Sequence, residues 1–226
     1  MLFFRYKESK WMKVEMSIVG LGALAQEVYE LTRELNWKVS NFYVEERYFE
    51  ESKGAKSFDE IFLLPENSSV FVAIGLNFER FRIVQKLKKR RPDFQFPTLT
   101  HPSSQIALSS SIGQGCLILR NSSICSNARV KNFALINNAA LVEHDAEVNE
   151  YSSLGPRSSL LGAAKLGKFS FIGAHSCVLQ ERMIGERSAL GAMSLLTNNL
   201  PPEQLWIGIP AKLHRSFNYQ EAIYDL

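Results

Sequence analysis

The chain has 226 residues, of which 46% are hydrophobic and 22% are charged, with 26 basic and 23 acidic side chains. This composition is that of a packed globular protein and excludes disordered and collagen-like classes. The net charge of +3 gives no indication of nucleic acid or an anionic membrane surface as a partner, and no segment is apolar over the length of a membrane span.

The first half of the chain alternates short apolar segments with helical patterns. We predict strands over 14–19, 39–44 and 69–74, and helices over 25–35 and 77–89. Strands that alternate with helices in this way pair in parallel, with the helices covering the sheet. The sequence therefore predicts a small, Rossmann-like α/β domain, which we place at residues 1–100.

A glycine-rich loop, Gly20-Leu-Gly-Ala-Leu-Ala25, follows the first strand and begins the first helix. Backbone N–H groups at the amino end of a helix favour a phosphate. Glu45 and Glu46 end the second strand, where a carboxylate can accept hydrogen bonds from a ribose or a base. The loop by itself is a weak signal, because a tight turn without a ligand has the same residues. The small size of the domain favours a nucleotide over a dinucleotide.

The second half of the chain repeats every six residues. All sixteen positions from Ile106 to Leu196, in steps of six, are Ile, Leu or Val, and fourteen of the positions four residues later are small. A step of six would scatter these side chains around a helix, whereas it accommodates one short strand and one corner. Three such units make one coil, and each coil adds about 4.8 Å along the axis. We predict a parallel β-helix of about five coils.

The corners of this β-helix have their own residue pattern. Gly or Asn often follows the aliphatic position, as at Gly113, Asn137 and Gly155. Because these residue types tolerate left-handed backbone angles, we expect them to turn the corners. The small residues would fill the narrow interior beside them.

His144 is the one histidine of four that lies between acidic residues, Glu143 and Asp145. In the six-residue register its side chain points outwards, and its neighbours in the adjacent coils are Ser126 and Gly162. Gly162 leaves space beside the imidazole. An acidic neighbour that accepts from one ring nitrogen leaves the other nitrogen as a base. His144 is therefore the candidate general base, and a solvated surface histidine is the alternative.

A metal site is the competing interpretation, since carbonic anhydrases built on this β-helix use three histidines. The separation of His144 from His175 is not a multiple of the coil length, and His101 and His214 lie outside the repeats. This spacing does not favour their convergence on one ion. We predict no metal.

The residues after the repeats include Asn199-Leu-Pro-Pro202 and the segment from Trp206 to Lys212. A solenoid needs a cap over its open end, so we expect this segment to cover the last coil. A basic residue here could also bind a phosphate.

Two features bear on the compartment. The three cysteines, Cys116, Cys125 and Cys177, form no CxxC pair, which is typical of reduced thiols. The first residues carry no apolar core of a secretion signal, and Met12 or Met16 is an alternative start because regular patterning begins only near residue 14. We expect a cytoplasmic protein.

The chain resembles the hexapeptide-repeat sugar acyltransferases that modify amino sugars and sialic acid in bacteria, most of all the UDP-4-amino-sugar N-acetyltransferases of the bacillosamine type. The likeness covers residues 14–212 and is carried by the segments Ile18–Val28, Val70–Asn77, His101-Pro102, Val142–Asp145 and Gly208–Lys212. It implies that residues 101–226 form a left-handed parallel β-helix that ends in a C-terminal cap. It also implies a homotrimer with active sites between neighbouring β-helices, acetyl-CoA along the groove, and a nucleotide sugar held by the N-terminal domain.

The resemblance implies roles for individual residues. His144 matches the general base, Asp145 its acidic partner, and Asn137 an asparagine that lines the acceptor site. The residues that match acetyl-CoA contacts are Gly162, Gly173, Ala174, Ala192, Ile209, Pro210 and Lys212, with the Gly162 N–H facing the thioester. The residues that match nucleotide-sugar contacts are Gly20, Gly22, Ala23, Glu45, Glu46, Gly75 and Asn77.

Two positions depart from the family pattern. Ser153 stands nine residues after the base, where members often carry a second histidine; a serine could still donate weakly to the thioester carbonyl. The segment Gly22-Ala-Leu-Ala-Gln26 stands where the family often has a Gly-His pair followed by a basic residue. This difference leaves the acceptor open.

We therefore expect an acetyl-CoA-dependent N-acetyltransferase that acts on a nucleotide-linked amino sugar for surface polysaccharide synthesis. A UDP-4-amino-4,6-dideoxy sugar is the first candidate. O-acetylation of a sugar hydroxyl is one alternative, and a non-catalytic scaffold that binds sugar nucleotides is another.

Overall fold

The computed structural model describes residues 14–46 and 54–217. Its N-terminal part is a parallel sheet with strand order β3-β2-β1-β4. The elements are β1 (Glu15–Val19), α1 (Ala23–Glu34), β2 (Lys38–Val44), β3 (Lys56–Ser57), a 3-10 helix (Phe58–Leu63), β4 (Ser69–Val72) and α2 (Asn77–Arg90). The predicted strands and helices are confirmed with small shifts at their ends. β3 is too short to leave a pattern in the sequence. Met12 lies outside the described residues, and Met16 is buried within β1.

The sequence explains where α1 begins and where α2 ends. α1 begins directly after Gly22, whose carbonyl accepts hydrogen bonds from the N–H groups of Ala25 and Gln26. α2 ends at Arg90, with three cations in its last turn, where the helix dipole favours positive charge. Neither helix is long and apolar enough to cross a membrane, and the described residues contain no other candidate span.

A series of two-residue strands follows α2 in chain order. They are β5 (Leu99–Thr100), β6 (Gln105–Ile106), β7 (Ser111–Ile112), β8 (Leu117–Ile118), β9 (Ser123–Ile124), β10 (Arg129–Val130), β11 (Leu135–Ile136), β12 (Leu141–Val142), β13 (Glu147–Val148), β14 (Ser153–Leu154), β15 (Ser159–Leu160), β16 (Lys165–Leu166), β17 (Phe171–Ile172), β18 (Cys177–Val178), β19 (Met183–Ile184), β20 (Ala189–Leu190) and β21 (Leu195–Leu196). Every third strand pairs in parallel, in a register that advances one coil, as Leu135 does with Leu117 and Ser153. The predicted parallel β-helix is confirmed, with about six turns and not the predicted five, because β5 precedes the first repeat and the strand Gln204–Gly208 follows the last on the same face.

The β-helix is a three-sided prism. Its first face contains β5, β8, β11, β14, β17 and β20, its second face runs from β6 to β21, and its third from β7 to β19. We name each corner after the face that precedes it. In one coil the first corner is residues 137–140, the second 143–146 and the third 149–152.

The aliphatic ladder fills the prism. From Ile118 to Leu196 its side chains are at most 2% exposed. At the open end Ile112 is partly buried and Ile106 is 39% exposed. The small residues four positions later, such as Ala134, are also buried. The hydrophobic core of this domain is thus the six-residue pattern itself.

The corners turn at a different position from the one we predicted. Left-handed φ values of 55–60° recur three residues after the aliphatic position, from Asn121 to Met193. Gly113 and Gly155, directly after it, have no positive φ. A Cβ on Gly155 would lie 2.8 Å from the carbonyl oxygen of Ile172 in the next coil. Glycine is therefore needed there because the coils stack closely, and not because the backbone turns.

A hairpin of β22 (Gln204–Gly208) and β23 (Ala211–Ser216) closes the far end. β22 pairs in parallel with β20 and in antiparallel with β23, which extends the first face. Leu200 and Ala211 join the interior of the prism, with Trp206 packed against it. This hairpin covers the last coil.

The α/β domain packs on the first face. The outward side chains Leu99, Leu117 and Leu135 are buried in one cluster with Ile18 and Phe71 of the parallel sheet. This apolar contact fixes where the loops of the α/β domain lie relative to the coils.

An aromatic stack at the third corner strengthens the contact. The rings of Phe133 and Tyr151 are 5.1 Å apart and those of Tyr151 and Phe169 are 5.6 Å apart, nearly parallel in both pairs. Phe81 of α2 meets the latter two edge-on. All three stacked residues have left-handed φ, which is costly for large side chains, and ring stacking offsets that cost.

Candidate active site

His144 and Asp145 form a hydrogen-bonded pair at the second corner. His144 Nδ1 lies 2.9 Å from Asp145 Oδ2, and Asp145 Oδ1 accepts from Asn127 Nδ2 of the preceding coil at 3.2 Å. The hydrogen bond from His144, with that from Asn127, holds the pKa of the Asp145 carboxyl below its usual range. A carboxylate only accepts, so it requires the proton on Nδ1 and leaves the Nε2 lone pair free. The His144 side chain is 61% exposed, so a substrate can reach Nε2.

Gly162 provides the room for this imidazole, as the coil register predicts. A Cβ on Gly162 would lie 2.6 Å from both Cε1 and Nε2 of His144. The corner backbone is held by the N–H of Asp145, which donates to the carbonyl of Ser126, and by the N–H of Ala163, which donates to that of His144. The free ring nitrogen therefore lies directly over the backbone of Gly162.

The other residues matched to acetyl-CoA lie along a different edge of the prism. Gly173, Ala174 and Ala192 are at the first corner in successive coils. The hairpin tip lies against the same edge, where the N–H of Gly208 donates to Ser194 Oγ at 2.9 Å. The Ile209-Pro210 bond in that tip is cis. Ile209 is 72% exposed, and Pro210 and Lys212 are also exposed.

Asn137 lies on that edge as well. It is at the first corner, and His144 is at the opposite end of β12. Its Oδ1 accepts from the N–H of Asn138 at 2.8 Å. Within one chain, Asn137 and the acetyl-CoA residues of the first corner are therefore not brought to His144.

The residues matched to the nucleotide sugar gather at the carboxyl ends of β1, β2 and β4. Gly20 and Gly22 follow β1, and Gly75 follows β4. In the order β3-β2-β1-β4, β2 and β3 lie on one side of β1 and β4 lies on the other, so the chain changes direction between β1 and β4. Ligands of open α/β sheets bind in such a crevice. Gly20 has a φ of 118°, and a Cβ there would meet the carbonyl oxygen of Ala73 at 2.7 Å. A Cβ on Gly22 or Gly75 would meet nothing within 4 Å, so both border open space, and Ala23 begins α1 beside them.

Glu45 is engaged by two cations. Arg82 Nη1 donates to its Oε1 at 2.9 Å, Arg82 Nη2 donates to its Oε2, and Lys86 Nζ lies at 3.4 Å. The hydrogen bond from Arg82 is the main cause that lowers the pKa of Glu45 to about 2. The cleft beside this cluster has a volume of about 630 Å³ and is lined by Glu45, Glu46, Ser57, Phe58, Asp59, Glu79, Arg82 and Lys86. Nothing in the sequence pattern marks Arg82, since only the fold brings it to Glu45.

Asn77 and Ser153 contact each other across the domain boundary. Ser153 Oγ donates to Asn77 Oδ1 at 2.6 Å, and Asn77 Nδ2 donates to the carbonyls of Phe169 and Ser170. Ser153 is 6% exposed. Its hydroxyl proton therefore points into the domain contact, and not towards solvent, where a donor to the thioester would be expected.

Residues 14–46 and 54–217 contain no group of three His, Cys, Asp or Glu side chains placed to hold a metal ion. The three cysteines are free thiols. Burial raises the pKa of the Cys116 thiol to about 11. Burial also raises the pKa of the Cys125 and Cys177 thiols, so none of the three cysteines is poised as a nucleophile.

Comparison with known proteins gives likenesses at the level of structure. No protein-family model matches the sequence, and no curated protein matches it. Perosamine N-acetyltransferase from Caulobacter crescentus, solved as a histidine-to-asparagine variant with CoA and GDP-perosamine, superimposes with a TM-score of 0.83 and 26% identity over 89% of this chain and 97% of that one. PerB from Caulobacter crescentus, also with CoA and GDP-perosamine, gives 0.83 and 28% over the same shares.

The acetyltransferase domain of PglB from Neisseria gonorrhoeae, with acetyl coenzyme A, has a TM-score of 0.81 and 23% identity over 89% of this chain and all of that one. At this identity the likeness concerns the fold. The predicted left-handed β-helix is confirmed. The predicted resemblance to hexapeptide-repeat sugar acyltransferases is confirmed as well, and with it the enzyme class, an acyltransferase.

Proposed function

We propose that the chain transfers the acetyl group of acetyl-CoA to the amino group of a nucleotide-linked amino sugar, with His144 as the general base. The observation that carries this proposal is the exposed His144–Asp145 pair, 2.9 Å apart, set over a glycine. The similar structures include N-acetyltransferases solved with CoA and an amino-sugar nucleotide, which supports the reaction type.

The pair suits attack by an amine on a thioester. The amine nitrogen forms a bond to the thioester carbonyl carbon, and His144 Nε2 takes the proton that the nitrogen loses. Asp145 stabilises the imidazolium that results. The N–H of Gly162 donates to the developing oxyanion. When the C–S bond breaks, the sulfur leaves as the CoA thiolate and takes the proton from His144, which yields an amide and free CoA.

The crevice between β1 and β4 is our candidate for the nucleotide sugar. The glycine loop at the start of α1 offers backbone N–H groups to a phosphate, and open space borders Gly22 and Gly75. Glu45 and Glu46, at the end of β2, would accept from the ribose or the base. The Caulobacter crescentus structures hold a GDP sugar, so GDP-amino sugars join the UDP sugars that the sequence suggested.

We propose a homotrimer, because one chain does not assemble the site. His144 and Gly162 lie on the edge of the second corner, whereas Gly173 and Ala192 lie on the edge of the first. A threefold arrangement can place the first-corner edge of one β-helix beside the second-corner edge of the next. Acetyl-CoA would then lie in that groove. The free thiols support a cytoplasmic location.

The test of His144 is a pair of alanine variants. His144→Ala should lose about 10²–10⁴-fold in kcat, which is the usual contribution of a general base. His175→Ala is the control: it removes an exposed imidazole at the first corner, beside the residues matched to acetyl-CoA. Because a change there can alter KM for acetyl-CoA, kcat of the two variants is compared at saturating acetyl-CoA. Equal kcat for His144→Ala and the parent would contradict the proposal.

A further inference from the structure

We infer that Arg80 is a positioning residue that holds the loop at Gly75 against the β-helix and thereby sets the affinity for the nucleotide sugar. This inference rests on the proposed function, because it takes that loop as part of the sugar-nucleotide site. No part of the sequence pattern pointed to Arg80.

Arg80 is fully buried, at 0% exposure, and its Nε, Nη1 and Nη2 atoms all donate hydrogen bonds. The acceptors are the carbonyls of Phe133 (3.0 Å), Ile74 (2.8 Å), Gly75 (2.9 Å) and Tyr151 (3.0 Å), with Asn77 Oδ1 (2.9 Å) and Ser153 Oγ (3.3 Å). No carboxylate is among these partners in the described part of the chain. A buried cation is costly unless its donors are satisfied, and here neutral acceptors satisfy them.

The acceptors divide between the two domains. Ile74, Gly75 and Asn77 belong to the loop after β4 and the start of α2. Phe133 and Tyr151 lie at the third corner of two successive coils, and Ser153 is in β14, directly after the second of these corners. One rigid planar group thus fixes one loop against two stacked corners of the β-helix. The fork geometry of arginine holds its acceptors at defined angles, which a lysine cannot do.

The loop that Arg80 holds is the one that borders the crevice. Arg80 Nη1 draws the carbonyls of Ile74 and Gly75 towards the β-helix, and the Cα of Gly75 faces open space. The position of this side of the crevice is therefore set by the contact between the domains, and not by the loop alone.

Ser153 has a place in the same arrangement. It donates to Asn77 and accepts from Arg80, nine residues after His144. In this structure Ser153 completes the contact that orders the loop. If Ser153 donated to the thioester instead, its removal would lower kcat and leave KM for the nucleotide sugar unchanged.

The experiment compares Arg80→Lys and Ser153→Ala with the parent and with the control Arg91→Lys. Arg91 also donates to backbone carbonyls, those of Phe62 and Leu64, at the other end of α2. The readouts are KM for the accepted sugar from a panel of GDP- and UDP-amino sugars, KM for acetyl-CoA, kcat, and hydrogen exchange of amides 74–77 without ligand.

We expect KM for the nucleotide sugar to rise about ten- to hundredfold in Arg80→Lys and less in Ser153→Ala, since small misplacements of a binding loop have effects of this size. KM for acetyl-CoA should stay unchanged, and amides 74–77 should exchange faster in both variants and not in the control. If Arg80→Lys does not fold, Ser153→Ala carries the same comparison.

An unchanged KM for the sugar, an equal rise for acetyl-CoA, or a fall in kcat alone would overturn the inference. If the parent acetylates no sugar in the panel, the proposed function fails separately. Hydrogen exchange then still decides whether Arg80 holds the loop, since unchanged exchange at 74–77 would refute it.

Discussion

Replacing Gly162 by alanine puts a methyl group where the imidazole of His144 lies. The new Cβ would be 2.6 Å from Cε1 and Nε2, whereas non-bonded carbons settle near 3.5 Å or more, so the ring must retreat by about 1 Å. The side chain of His144 is 61% exposed and can swing outwards at little cost in folding free energy. It cannot do so and keep its 2.9 Å hydrogen bond to Asp145.

We expect kcat of Gly162→Ala to fall about ten- to hundredfold, because a displacement of about 1 Å has effects of this size. Its free energy of unfolding should stay within about 0.5 kcal/mol of the parent. Steady-state kinetics and urea unfolding measure the two quantities. In the double variant with His144→Ala, the loss should not exceed that of His144→Ala alone, since both changes remove the same interaction.

Gly167→Ala is the matched control in the same β-helix. Its Cβ would lie 2.7 Å from the backbone nitrogen of Glu186 and the carbonyl oxygen of Ile184, and stacked backbone cannot swing away. This variant should lose about 1–3 kcal/mol of stability. Parental kcat in a folded Gly162→Ala protein would refute the placement of the base.

Three further predictions concern the charge pairs and the core. Asp145→Asn should lower kcat about tenfold or more, because a neutral amide cannot stabilise the imidazolium. Steady-state kinetics at saturating substrates measure this, and an unchanged kcat would contradict it. The folded-state pKa of Glu45 is about 2, below its ordinary 4.5, so its pair with Arg82 stabilises fully above about pH 4.5 and loses that effect as pH falls towards 2. Glu45→Gln should therefore cost about 1–2 kcal/mol at pH 7, allowing for the partly exposed guanidinium, and almost nothing near pH 2; an equal cost at both pH values in urea unfolding would be evidence against the pair. Leu154→Ala, at 1% exposure, should cost about 2–5 kcal/mol and Ile106→Ala, at 39% exposure, much less, and similar losses would contradict the ladder.

The sequence was sufficient for the β-helix because each aliphatic residue marks one strand. A six-residue step has one compact solution, and the coil length follows from three such steps. The same arithmetic placed Gly162 beside His144. The glycine loop could be predicted from the sequence because Gly20 and Gly22 lie between a strand pattern and a helix pattern.

The rest depends on contacts that sequence spacing does not encode. Arg80 and Arg82 have the sequence context of ordinary charged residues on a helix, and only the packing of α2 buries the first and brings the second to Glu45. The left-handed corner position holds residues as different as Phe133 and Arg157. Stacking between coils decides that conformation, so residue type gives no signal for it.

The most direct test of the central claim is the reaction itself. Purified protein is mixed with acetyl-CoA and UDP-, GDP- and dTDP-linked amino sugars, and released thiol is compared with the acetylated product. We predict one thiol for each product formed with at least one of these sugars, and a product that neutral hydroxylamine leaves intact, as an amide requires. If none of these sugars caused thiol release, or if hydroxylamine cleaved the product as an ester, N-acetylation of a nucleotide-linked amino sugar would be contradicted.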